Sequence, residues 1–248
     1  MNAIETNDLS VTLSRLPILR SISVEVAQGE AVALMGTNGS GKTTLVRALL
    51  KLIPFQRGSI RLFGTDLGQF KDWARIGYVP QRAEIQYPQA RVSEVISTGL
   101  LARRQLFRPR TRSQSAQIKA ALEQVGMADR VNYPYRRLSS GQQQRVLIAR
   151  ALVSQAELLI MDEPLAGVDL DSQAQLAEIL AGLKRDGNTM LIVLHETGPL
   201  EPMLDRQIVL RDGRVLPSSI PVQAAPHGHE TSPRAANPLL PGILDRRH

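Results

Sequence analysis

The chain has 248 residues, no cysteine, 43% hydrophobic residues and a formal net charge of +7. That length suits a soluble α/β domain with a large buried core, and no run approaches the roughly eighteen consecutive apolar residues that a membrane-crossing helix needs. Without cysteine, neither a disulfide framework nor a thiolate metal site is open to it, which fits a reducing compartment. Met1 to Glu5 lacks the basic and apolar blocks of a signal peptide, so a cytosolic location is expected.

In chain order, short strands are predicted at 11–13 and 21–26, then a strand at 31–35 and a helix over 45–53. Between those last two lie Gly36, Thr37, Asn38, Gly39, Ser40, Gly41, Lys42 and Thr43, with Thr44 following. This run fits G-x-x-x-x-G-K-[ST] without a gap, in a strand–loop–helix setting. Its glycines let successive N–H groups turn inward around phosphate oxygens, and the helix N-terminus adds partial positive charge. Lys42 is placed to reach the β- and γ-phosphates, and the Thr43 hydroxyl to ligate Mg²⁺.

Strands at 60–63 and 76–79 follow, the latter running into Pro80, Gln81 and Arg82. Residues 91–130 read as helical: Val92, Val95, Ile96, Leu100 and Leu101 recur near 3.6-residue spacing, as do Ile118, Leu122 and Val125. The net charge invites a nucleic-acid reading, but it is concentrated here. Arg103, Arg104, Arg108, Arg110, Arg112 and Lys119 have no acidic residue among them. The segment is either a solvated face and loop or a surface facing acidic headgroups or an acidic partner. Phe107 alone lies among these arginines, so base stacking is poorly supported and no nucleic-acid partner is expected.

The most informative stretch runs from Leu138 to Asp169. A polar turn (Leu138, Ser139, Ser140, Gly141, Gln142) opens a helix over 141–153. The apolar strand 158–162 ends in two carboxylates, Asp162 and Glu163, and a loop broken by Pro164 leads to Asp169. Adjacent carboxylates after a buried strand point to metal and phosphate chemistry. A helix over 171–184 and a strand over 190–194 lead to His195, and strands at 208–210 and 214–216 flank Asp212-Gly213, a hairpin signal. Six prolines then occur from Pro217 to Pro241, a composition that argues for an extended or disordered tail over 217–248.

Together these motifs resemble the ATPase subunit of an ATP-binding-cassette (ABC) transporter, over roughly residues 5–216. Gly36 to Thr43 looks like the Walker A loop, Gln81 the Q-loop glutamine, and Leu138 to Gln142 the signature turn LSGGQ. Leu158 to Glu163 looks like Walker B with its catalytic glutamate, Leu165 to Asp169 the D-loop, and His195 the switch histidine. The resemblance implies an α/β P-loop NTPase core with a mixed central sheet, an antiparallel β subdomain and an inserted helical subdomain at about 91–140.

It also implies ATP and Mg²⁺ as cofactors. Glu163 is the expected general base, His195 the contact to the γ-phosphate that orients water, and Lys42 the neutraliser of phosphate charge. Thr43, Gln81 and Asp162 are the expected metal set. Two such subunits pack head to tail in that family, so Ser139, Gly141 and Gln142 would meet ATP held by the partner's Walker A. Asp169 is either a cross-dimer residue or the N-cap of the following helix. The expected assembly is a homodimer of ATPase subunits on an integral membrane permease at the inner face of the cell membrane, with a solute-binding protein engaged indirectly.

Two departures stand out. Ser140 replaces the first glycine of the signature pair, placing a Cβ near phosphate and putting turnover in doubt. The adenine-stacking position aligns near Leu13, and no Tyr or Phe precedes Phe55, so the base contact should be merely apolar. One cassette without a coiled-coil insertion favours a transporter subunit over a soluble ABC ATPase acting on nucleic acid or the ribosome. Intact Glu163 and His195 disfavour a regulator without turnover. Ile76 to Arg82, Gly141 to Ala151 and Ala166 to Asp169 look most like the zinc, manganese and iron import branch, with iron chelates or another small cargo as the alternative. His227, His229 and Glu230 are metal-ligand types at close spacing, either incidental in a disordered tail or part of a weak zinc site with His248.

Overall fold

The computed structural model describes residues 1–81, 89–103 and 111–217. Two sheets stack in it. The first is antiparallel: β1 (Asn2–Leu13) pairs with β2 (Leu16–Ala27) and with β4 (Arg57–Leu62), which pairs with β5 (Thr65–Asp66). The second holds six strands in the order β10-β9-β3-β8-β7-β6. These are β3 (Ala31–Gly36), β6 (Ile76–Val79), β7 (Leu158–Asp162), β8 (Thr189–Val193), β9 (Arg206–Arg211) and β10 (Arg214–Val215). All its pairings are parallel except β10 on β9, which makes the central sheet mixed as expected.

Strands β7 and β8 are buried at every residue, the mark of a parallel sheet covered on both faces. Their alternation divides the interior. Val32, Leu34, Leu158, Ile160, Leu191 and Val193 share a core with the antiparallel sheet and with α1 (Lys42–Leu49). Ala33, Leu159, Met161, Met190 and Ile192 face the other core, shared with the remaining helices. Those are α2 (Val92–Ser97), α3 (Arg112–Gln124), α4 (Ser140–Leu152) and α5 (Leu170–Arg185).

The helical stretch expected over 91–130 is divided: 3₁₀ turns at Thr98–Arg103 and Ala128–Arg130 bracket α3. Thr111 caps α3 through a reciprocal pair with Gln114, its hydroxyl accepting at 3.2 Å and its N–H donating at 3.1 Å. Strands β1 and β2 are longer than predicted. Left-handed backbone at Asp8 and Ser21, with shifts in pairing register, breaks the two-residue alternation by which a long strand is recognised. Helix α1 begins at Lys42, directly out of the glycine loop, and ends before Lys51, whose φ of 57° cannot continue it.

Candidate functional site

The loop from Gly36 to Thr43 crosses from the end of β3 to the start of α1. Gly36, Gly39 and Gly41 all have positive φ (147°, 78° and 107°), and the first N–H groups of α1 have no partner inside the helix. Thr37, Asn38 and Gly39 are exposed, whereas Ser40 and Lys42 are buried. The Lys42 ammonium donates to the carbonyls of Gly36 at 2.7 Å and Thr37 at 3.1 Å. A buried cation that, among the described residues, donates to loop carbonyls lies where phosphate oxygens can take its hydrogens.

The hairpin turn that sequence reading treated as punctuation supports this loop. The Gly213 N–H donates to the Ser40 carbonyl at 3.2 Å, and the Gly213 carbonyl accepts from the Arg20 N–H at 2.8 Å. Gly213 has a φ of 73°, and a Cβ there would meet the Ile18 carbonyl oxygen at 2.1 Å. Gly213→Ala is therefore expected to destabilise the fold by about 2–3 kcal/mol, combining left-handed strain with backbone overlap. Gly187→Ala, at φ 90° with open space around it, is expected to cost about 1 kcal/mol. Denaturant unfolding of the two variants measures the difference, and equal losses would remove the support role.

Asp162 ends β7, is 4% exposed, and has one carboxylate oxygen, Oδ1, with no hydrogen-bond partner among the described residues. Burial and the neighbouring Glu163 charge hold its carboxyl above the ordinary range, while the Thr43 hydroxyl, Arg47 and Lys42 oppose that shift. A buried anionic oxygen without a partner, beside a hydroxyl, suits a hard divalent cation. The residues present therefore fit Mg²⁺.

Glu163 has left-handed backbone, φ 49°, and its N–H donates to the Val193 carbonyl at 3.0 Å. That turn places its carboxylate between two partners. Oε1 lies 2.6 Å from His195 Nε2, and Oε2 accepts from the Gln81 side-chain amide at 2.5 Å. A small open cavity beside them is lined by Glu163, Leu165, Ala166, Gln173, Leu194, His195 and Glu196. Sequence reading placed Gln81 with the metal set; in the structure its amide nitrogen is on Glu163.

Ser139 caps α4: its hydroxyl accepts from the Gln142 N–H at 3.3 Å, and its own N–H donates to the Gln142 side chain at 3.2 Å. Ser140, whose Cβ is expected near a phosphate, is exposed on the surface of the chain. Its neighbour Gly141 has no room within the chain, since a Cβ there would meet the Ser172 side chain on α5 at 2.5 Å. Asp169 caps α5, accepting from the Ser172 N–H at 3.0 Å, and hydrogen bonding from Ser172 holds its carboxyl below the ordinary range. Among the described residues, no hydrogen bond joins Ser139, Gly141 or Gln142 to the phosphate loop.

A family model described as ABC transporter matches residues 19–166. The chain belongs to the ABC transporter family. Two curated relatives are similar over most of their length. The zinc uptake system ATP-binding protein ZurA of Listeria monocytogenes is 42% identical over 197 residues, covering 78% of this chain and 76% of the relative. The manganese transport system ATP-binding protein MntB of Bacillus subtilis is 37% identical over 213 residues, covering 85% and 84%. A solved nucleotide-free ATP-binding cassette from an ABC transporter matches with a TM-score of 0.80 at 21% identity, covering 87% of this chain and 90% of that one, which shows the fold.

The chain is thus the ATP-binding, ATP-hydrolysing subunit of an ABC transporter, and cassettes of this family act as dimers with permease partners. No helix among the described residues is long and apolar enough to cross a membrane. Arg82, most of the arginine-rich run and the histidines of the tail lie outside the described residues.

Proposed function

We propose that this ABC subunit hydrolyses ATP to drive import of a divalent metal ion, zinc or manganese. In this reading it works as a homodimer on an integral membrane permease at the cytoplasmic face of the membrane, with a solute-binding protein delivering cargo. The ATP-binding domain spans 1–216, with the helical subdomain at about 91–140. The observation that carries the catalytic part is the Glu163 carboxylate held between His195 and Gln81. The cargo rests on similarity to zinc and manganese transport ATPases over more than three-quarters of the chain.

Attack of water on the γ-phosphate needs a positioned water, a proton acceptor and charge neutralisation. Glu163 accepts the water's proton, and His195, whose ring nitrogen already touches that carboxylate, fixes its orientation and contacts the γ-phosphate. Lys42 exchanges its carbonyl partners for phosphate oxygens, while the α1 N-terminus directs its N–H groups at the same charge. Asp162 and Thr43, with Gln81 as a further contact, would hold Mg²⁺, which when bound supplies charge stabilisation on the phosphate oxygens. Ser139, Gly141 and Gln142 complete the partner subunit's ATP site, and Asp169 orders the dimer interface through the cap it already forms.

The test is transport. In cells lacking the corresponding gene, the full-length chain is expected to restore radiolabelled zinc or manganese uptake and growth under metal limitation, whereas a Lys42→Ala chain is not. Restored use of an iron chelate with no change in zinc or manganese uptake would replace the metal-ion reading with the chelate one.

A further inference from the structure

Arg150, on the last turns of α4, is half-buried, and burial lowers its pKa. Among the described residues no carboxylate pairs with it. A half-buried guanidinium is desolvated at a cost and persists where its donors are used. Here it donates to the Tyr78 carbonyl at 3.2 Å. Tyr78 lies on β6, the edge strand of the central sheet, where among the described residues no further strand takes up outward carbonyls.

The surrounding packing is tight. A Cβ on Gly99 would meet the Arg150 carbonyl oxygen at 2.1 Å, and one on Gly77 would meet the Ala151 carbonyl at 2.8 Å. The last turns of α4 are thereby pressed onto β6 and the 3₁₀ turn at Thr98–Arg103. Tyr135, in the turn before Ser139, is buried near Arg150. Its phenol is pushed up to about 12, so it stays neutral near the guanidinium. On the other side, burial first and the Asp162 charge second raise the pKa of Tyr78, which stands three residues before Gln81, the donor to Glu163.

We propose that Arg150 is a positioning residue: by clamping α4 to the end of β6, it fixes Gln81, and through it Glu163, relative to the turn at Ser139. One guanidinium thus ties the chain's own catalytic carboxylate to the turn it offers to a partner's ATP. The inference rests on the catalytic reading above, but it makes a separate demand. Arg150 must act through Gln81 on turnover, not on nucleotide binding.

Steady-state ATPase measurements on the full-length protein test this. Arg150→Met is expected to lower kcat at least about tenfold, the scale of a small misplacement of a reacting group, with KM for ATP essentially unchanged. In a Gln81→Ala background the same substitution is expected to cost little, because residues acting as one unit are non-additive. Should Arg150→Met fail to fold, Arg150→Lys carries the same cycle, since it shortens the reach to the Tyr78 carbonyl while keeping the charge. Native kcat in the folded variant, a change confined to KM, or an equal loss with and without Gln81 would overturn the assignment. A failure of Glu163 itself as the base would appear instead as undiminished hydrolysis in Glu163→Gln.

Discussion

Glu163→Gln is expected to bind ATP with near-native affinity and to lose hydrolysis by about 10²–10⁴-fold, the range that a positioned general base contributes. The side chain keeps its length, and its oxygen can still accept from His195, which now stands 2.6 Å from Glu163 Oε1. What disappears is an anionic acceptor for the water's proton. Each tenfold loss corresponds to about 1.4 kcal/mol of barrier, so the change is about 3–5 kcal/mol in the transition state, with little effect on the bound ground state. Nucleotide is held by the phosphate loop, not by this carboxylate, so a calorimetric titration should return an unchanged Kd. With turnover blocked, ATP should trap the closed dimer, visible as a shift in elution volume on size exclusion. Rapid steady-state hydrolysis by the purified variant would sink the assignment.

The pieces that were legible in the sequence are those set by local pattern. Strands β6 and β7 begin and end where the apolar runs predict, because a buried parallel strand needs an unbroken apolar stretch bounded by turn residues. The phosphate loop is legible for a similar reason: only glycine and lysine at that spacing meet its backbone and charge demands. The β1–β2 hairpin was harder to read. Its turn is made by Ser14 and Arg15, both with positive φ (49° and 67°), and carries none of the Asn-Gly chemistry that marks such turns.

The individual contacts between distant segments are another matter: the resemblance groups Gln81, Glu163 and His195 at one site without saying which atoms meet. Gln81 reaches Glu163 across 82 residues, and Gly213 reaches Ser40 because β9 pairs with β3, which no local pattern encodes. Gly141 shows the same limit: the packing of α4 on α5 leaves it no room for a Cβ, which no local pattern announces.

Lys42→Ala is expected to weaken ATP binding itself by about 10–100-fold, the converse of the Glu163 result. Lys42 is 6% exposed, so much of the cost of removing its side chain from water is met within the fold. Its hydrogens rest on the carbonyls of Gly36 and Thr37. Phosphate oxygens, unlike the neutral carbonyls, carry charge opposite to the ammonium, and hydrogen bonds to charged groups are worth about 1.5–3 kcal/mol, where about 1.4 kcal/mol is tenfold in affinity. Alanine forfeits that gain and also leaves the two carbonyls without the donor that orders the loop. A denaturant titration is needed beside the calorimetric one, to show that the affinity is lost from a folded protein. Arginine at this position is not expected to rescue binding, because a planar fork cannot occupy the space of a compact ammonium folded against two carbonyls. Undiminished nucleotide affinity in folded Lys42→Ala would mean that the phosphates are held by the backbone N–H groups and the helix terminus alone.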